Sequence, residues 1–257
     1  AVSIPSFRAG SLSGQDMAAI KEIRKTGFTI APEAGSQRLR DVINKNITEA
    51  DILNTVETAF DLGWNLIKIY FMVGLPTETT EDIEEIVRLV RTLKKLGKKK
   101  PEPGKKGLAR QTRRINVSVA TFIPKPHTPF QWEGQVDLET ARKKIFYLKE
   151  KLASRQVGFK WQGPEMSLLE GVFARGDRRL SGLIEAAYRK GCRFDGWSDS
   201  FNFKTWQESA CKSGVDFDFY TTRPRKTEEP LPWERISAGV SEAFLKTERL
   251  RAHNGEL

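Results

Sequence analysis

Residues 65–76 read NLIKIYFMVGLP. The run is almost continuously apolar and ends in a Gly-Leu-Pro turn. Such a run reads as a strand buried on both faces of a parallel sheet. The next stretch, TETTEDIEEIVRLVRTLKKLG (77–97), reads as a helix, with threonine at its cap, acids in its first turn and lysines in its last. That order of charges suits the helix dipole.

The same alternation extends outward on both sides. Upstream, FTIA (28–31) reads as a buried strand, preceded by a helix over 14–25 with Met17, Ile20 and Ile23 on one face. A helix over 36–45 follows, capped by Ser36 and striped by Leu39, Val42 and Ile43. Thr48 opens another, with Asp51 in the capping-box position and Ile52, Val56, Ala59 and Phe60 on its apolar face. Downstream, INVSVATFIP (115–124) reads as a strand and 138–153 as a helix, while SIPSF (3–7) reads as a short strand at the start. This βα repetition implies a parallel sheet with right-handed crossovers, either open and doubly wound or part of a barrel. Four strands do not close a barrel, so the chain reads as the second part of a larger βα domain.

From about residue 156 the pattern changes. VGFKW (157–161) reads as a short strand. Residues 167–192 read as a helix pair or a broken helix, FDGWSDSFNFKTW (194–206) as an aromatic-rich loop, and 232–250 as a last helix. The expected organisation is a βα part over 1–155 and an α-rich extension or small domain over 156–257.

Composition narrows the class. The chain has 257 residues, 39% apolar and 30% charged, with 15 Phe, 6 Trp and 2 Cys. It is neither disordered nor stapled by disulfides. No apolar run approaches the roughly 18 residues of a membrane helix, and the start lacks the layout of a secretory signal. A cytoplasmic setting is expected. The net charge of +10 comes from residues 91–114, which hold 11 basic residues and one acid, Glu102. A solvated loop is the plain reading of that stretch, and an RNA- or phosphate-facing loop is the other.

In parallel sheets, ligands bind at the carboxyl ends of the strands. Three such ends carry polar or turn residues. Pro32-Glu33-Ala34-Gly35-Ser36 offers a carboxylate for ribose hydroxyls and a glycine for close backbone approach. Gly74-Leu75-Pro76 offers backbone groups to a purine edge. Residues 123–130, IPKPHTPF, hold His127 in a proline-stiffened loop. Each also has a plain alternative: Glu33 as a helix cap, Gly74 as a simple turn, His127 as a surface residue. His253 reads as solvated. Phosphate-loop, dinucleotide, nucleophile-elbow and zinc-protease motifs are absent. Cys192 and Cys211 lie too far apart for a metal motif, so no metal site is expected within the chain.

Taken together, IPSFR, RKTGFTIAPEAGSQRLRDVINK, YFMVGLPTET, FIPKPHTPFQW, LEGVFARGDRR and CRFDGW resemble the radical S-adenosylmethionine superfamily. The likeness is to an uncharacterised bacterial family related to the methylthiotransferases, whose members often carry a cobalamin-binding-like domain. The resemblance implies a partial (βα)6 barrel, of which this chain holds strands three to six. It implies S-adenosylmethionine and a four-iron, four-sulfur cluster as cofactors, with cobalamin as a further candidate. The implied activity is reductive cleavage to a 5′-deoxyadenosyl radical that takes hydrogen from a substrate. The cluster's Cys-x3-Cys-x2-Cys loop is not in this chain, so its ligands are expected outside it and the chain alone is expected to be inactive.

The resemblance also implies roles at matching positions. Glu33 lies where relatives contact the ribose, with Gly35 and Ser36 beside it. Lys45 matches a basic residue that reaches the cofactor's carboxylate. Tyr70 stands where relatives place an aspartate on the ribose. Gly74, Leu75, Pro76, Phe122 and Ile123 match segments beside adenine. Lys125, His127 and Gln131 fall toward the substrate side. The substrate is open: RNA, a ribosomal component or an anionic metabolite. Two rivals stand beside this reading. One is a non-catalytic α/β module binding RNA through 91–114. The other is a conventional barrel enzyme holding a phosphorylated substrate at the Gly74 turn.

Overall fold

The computed structural model describes residues 10, 14–23, 27–97 and 113–256. The strand expected at SIPSF and most of the basic stretch (98–112) lie outside the described residues. The βα part comprises α1 (Gly14–Ile23), β1 (Phe28–Glu33), α2 (Gln37–Val42), α3 (Glu49–Asp61), β2 (Leu66–Val73), α4 (Thr80–Leu96), β3 (Arg114–Thr121), α5 (Leu138–Lys151) and β4 (Val157–Trp161). Then come α6 (Pro164–Arg175), α7 (Leu180–Arg189), α8 (Phe203–Ser213), α9 (Phe217–Tyr220) and α10 (Glu242–Asn254).

The four described strands are all parallel and lie in the order β1-β2-β3-β4. That order never reverses. Crossovers of one hand therefore deliver the long connecting helices α3, α4 and α5 to the same face, as in a barrel wall; a doubly wound sheet needs a reversal. The packing agrees. Ile52 and Phe60 of α3, Ile86 and Val90 of α4, and Ile145 and Leu148 of α5 share one apolar core with Ile67, Ile69, Phe71, Val117 and Val119.

The two-sided burial expected for β2 is therefore corrected. Ile67, Ile69, Phe71 and Val73 are buried, but Lys68 and Tyr70 are exposed and Met72 is half-buried. The odd-numbered residues face the helices. The even-numbered ones face the other side, where Lys68 and Tyr70 stay exposed and Met72 packs against a small cluster that includes Leu39 and Val42 of α2 and Ala252 of α10. Neighbouring strands continue this open face: Lys68 is in register with Thr29 and Asn116, and Tyr70 with Ser118, which in turn pairs with Lys160.

A second correction concerns β4. It is hydrogen-bonded parallel to β3, from Ile115↔Val157 to Val119↔Trp161. The βα pattern thus crosses the boundary expected at 155/156, and the α-rich part begins with α6. The helix expected over 232–250 is displaced too. Residues 232–240 are not helical: Gly239 has φ +76, and the Ser241 hydroxyl accepts the Phe244 N–H to start α10. Residues 167–192 resolve into a helix pair, α6 and α7.

The expected caps form. The Ser36 hydroxyl accepts the Leu39 N–H at 3.1 Å, and Thr48 and Asp51 make a reciprocal capping box. At α4 the Thr79 N–H donates to the Asp82 carboxylate at 2.8 Å.

Candidate functional site at the strand carboxyl ends

At the end of β1 the pairing slips between Ile30 and Glu33, so the strand bulges. Glu33 sits there with φ +69, a backbone state that non-glycine residues adopt at a cost. Its carboxylate accepts from Lys45 Nζ at 3.2 Å, and both side chains are about a quarter exposed. The bulge thus delivers a carboxylate and an ammonium, twelve residues apart in sequence, to one solvent-accessible spot.

The adjoining Gly35 and Ser36 serve the scaffold. A Cβ on Gly35 would lie 2.2 Å from the Ile86 backbone nitrogen, so the glycine lets this loop pack directly on α4. Ser36 Oγ donates to Asp82 at 2.5 Å while capping α2. Burial raises the Asp82 pKa, but hydrogen bonds from Arg38, Ser36 and Thr79 outweigh it and hold the carboxyl below its ordinary value.

The Gly74 turn is also occupied from within. Gly74 has φ +80, and a Cβ there would lie 2.4 Å from Val136 Cγ1. Its N–H donates to both oxygens of Glu78, at 2.9 and 3.0 Å. That N–H, expected to be free for a purine edge, is therefore taken. Glu78 is a residue that sequence reasoning passed over. Its side chain is 1% exposed and pairs with Lys144 Nζ of α5 at 2.5 Å. Burial raises its pKa, partly opposed by Lys144 and the turn's N–H groups. The signal was an acid four residues beyond a turn glycine, inside the TETTED run that reads as dipole-favouring acids.

Leu75 and Pro76 are buried. Leu75 belongs to a small apolar cluster with Ala34, Leu39, Val42 and Ala252 of α10, against which Phe122 and Phe130 pack. Phe122 and Phe130 meet edge to face, 5.9 Å between centroids. Ile123 is buried as well. Of the residues matched to the adenine side, Leu75 and Phe122 thus meet in one cluster, to which Ala252 of α10 also belongs. Arg249 Nε and His253 Nε2 of α10 lie 2.6 and 2.8 Å from Glu133 Oε1. His253, expected to be solvated, is thereby tied to the 123–133 loop.

Of the substrate-side residues, His127 and Gln131 meet while Lys125 turns away. Lys125 turns to Glu170 of α6, at 2.5 Å. Gln131 is buried, and its Oε1 accepts from the His127 N–H at 3.0 Å and the Trp233 indole N–H at 2.7 Å. Its Oε1 thus ties the loop together. His127 has φ +57 and is half-buried. Tyr70 stands apart, exposed on the open sheet face.

The cysteines do not make a cluster site. Cys192 and Cys211 are both free thiols, and among the described residues no three His, Cys, Asp or Glu side chains are placed to hold a metal ion. No helix among the described residues is long and apolar enough to cross a membrane.

Residues 5–90 match the model of the radical SAM superfamily. That span holds β1 with its bulge, β2 and the Gly74 turn. The chain is also 39% identical over 184 residues to an uncharacterized protein of Methanocaldococcus jannaschii. The match covers 72% of this chain and 37% of that relative's length.

Proposed function

We propose that the whole protein is a radical S-adenosylmethionine enzyme and that this chain supplies the part of the barrel wall that holds the nucleoside end of the cofactor. The observation that carries this reading is the one-sided burial of a parallel sheet. Such sheets are ordinarily covered on both faces. Here the second face is open at Lys68 and Tyr70, is covered only near Met72, and ends in the Glu33–Lys45 pair.

The residues fit that cofactor in part. A carboxylate accepts hydrogen bonds from both hydroxyls of a ribose, which suits Glu33. An ammonium suits the cofactor's carboxylate, which assigns Lys45 to that end. Leu75, Phe122 and Ile123 offer an apolar wall to adenine. Tyr70 offers a phenol to the open face in place of a carboxylate, leaving Glu33 as the acid for the ribose. When bound and reduced by a cluster, S-adenosylmethionine supplies an adenosyl radical for hydrogen abstraction. The two cysteines do not fit a four-iron cluster, so its ligands belong to residues outside these 257, and no step through it is assigned to this chain. The kinship to cobalamin-dependent and methylthiotransferase-like members, and the cytoplasmic setting, are parts of the same proposal.

The substrate is proposed only as a group that enters the open face. RNA is the second reading, and one feature bears on it. The described flanks of the basic stretch, Lys94 and Lys95 at the end of α4 and Arg113 and Arg114 at the start of β3, lie at the amino-terminal edge of the sheet. RNA held there would be bound at the edge opposite the cofactor site.

Amide chemical shifts on titration with 5′-deoxyadenosine separate the readings. Changes centred on Glu33–Ser36, Gly74, Leu75, Phe122 and Ile123 are expected. A spectrum that stays unchanged at millimolar ligand, or changes only around Arg113 and Arg114, would remove the nucleoside assignment.

A further inference from the structure

Three arginines, Arg40, Arg175 and Arg225, are buried among the described residues, and the fold treats them differently. Arg40 is fully served. Its donors reach the Ile47, Ala34 and Gly35 carbonyls and Gln37 Oε1. Arg175, at the end of α6, gives Nε to the Tyr220 carbonyl at 2.8 Å and Nη1 to the Pro124 carbonyl at 3.2 Å. Its Nη2 is buried with no partner among the described residues. Arg225 gives Nη2 to the Arg175 carbonyl at 3.0 Å, and its Nε and Nη1 are buried without partners.

The neighbouring acids do not answer these charges. Glu133 is engaged by Arg249 and His253, Asp177 by Arg179, and Glu229 by Arg223. Two guanidinium groups are thus buried beside one another with no carboxylate on either. Burial first, then the charges of Arg225 and Arg223, pull the Arg175 pKa down to about 10. Isolated buried charge is strongly unfavourable, and the guanidinium fork is matched to oxyanions.

We propose that Arg175 and Arg225 form a binding site for an oxyanion, a phosphate or a carboxylate, between the end of α6 and the 222–233 loop. Trp233 covers it, with its ring 5.0 Å from the Arg225 guanidinium. Trp233 is held by its indole N–H on Gln131, and residues 234–244 beyond it are all exposed. The Pro124 carbonyl links the site to the loop after β3, so an anionic group there lies beside the strand ends. The inference does not depend on the radical SAM reading.

The test is a titration of the protein with inorganic phosphate, and in parallel with acetate, at ionic strength fixed by sodium chloride. Thermal unfolding and tryptophan emission are read together. The expected result is a saturable rise in the midpoint, roughly 3–6 °C at tenfold the half-saturating concentration, with emission changing over the same range. The rise persists when Lys98, Lys99 and Lys100 are changed to Gln, and is lost in Arg225→Gln. If Arg225→Gln does not fold, Arg225→Lys keeps the charge, loses the fork and needs at least about tenfold more anion. A stronger acetate response marks the natural group as a carboxylate, and a stronger phosphate response marks it as a phosphate. No rise beyond the chloride control overturns the proposal, as does a rise that survives in Arg225→Gln, that needs no more anion in Arg225→Lys than in the unchanged protein, or that vanishes when Lys98, Lys99 and Lys100 are changed.

Discussion

Glu33 shows how much one residue's backbone state can carry. A left-handed non-glycine at a strand bulge costs about 1–3 kcal/mol, and here it aims a carboxylate at Lys45. Glu33→Gln keeps shape and backbone, so we expect its melting midpoint to stay within about 2 °C of wild type while nucleoside affinity falls at least about tenfold. Glu78 acts by support. Its carboxyl is raised by burial, so the unfolded chain releases this proton more readily than the folded one. Stability from this group is present below the ordinary value and lost as pH rises through the folded one. Glu78→Gln should flatten that decline in a pH series of denaturant melts, at a cost of about 1–3 kcal/mol from the lost Lys144 pair and Gly74 contacts. Asp177 has the opposite sign. Its pKa is held near 2, first by the Arg179 hydrogen bond. Its contribution is present above the ordinary aspartate value and lost as pH falls from there through the folded value of about 2, on the order of 1 kcal/mol given the exposed partner. Asp177→Asn should remove that acid limb. Glu33 was legible in the sequence because it follows a buried strand. Glu78 and Arg225 were not. Nothing in a local pattern marks which charge the fold will bury.

At the scale of elements, β2 is the most instructive case. Its alternation of Ile67, Lys68, Ile69, Tyr70 and Phe71 was present in the letters, yet the run read as buried on both sides because parallel strands usually are. The unreversed strand order decides otherwise, and order is not written in any single strand. Ile69→Ala should therefore cost about 2–5 kcal/mol, whereas Lys68→Ala and Tyr70→Ala should each cost under about 1 kcal/mol; urea unfolding of the three variants checks this. Equal losses at Ile69 and Tyr70 would restore two-sided burial. The last helix was misplaced for another reason. Ile236 and Val240, within the expected span, are exposed outside any helix, and Gly239 and Ser241 set the true start. Helix caps at Ser36 and Thr48 were legible because they are local chemistry.

For the whole molecule, the sequence pattern reached the class of fold through its βα alternation but not its extent. β4 is only five residues long and its Lys160 and Trp161 are exposed, so its place in the sheet is visible only in pairing. Charge is divided by the same topology. The basic stretch joins the end of α4 to the start of β3, so it enters and leaves at the amino-terminal edge, away from Glu33 and Gly74. Neutralising Lys98, Lys99 and Lys100 should therefore weaken any binding of RNA and flatten its salt dependence, while leaving nucleoside binding unchanged. The most direct test of the central claim is calorimetric titration of the protein with S-adenosylmethionine. One saturable site, weakened at least about tenfold by Glu33→Gln and indifferent to the lysine changes, is the result expected. Absence of binding at millimolar ligand, or equal affinity in Glu33→Gln, would contradict it.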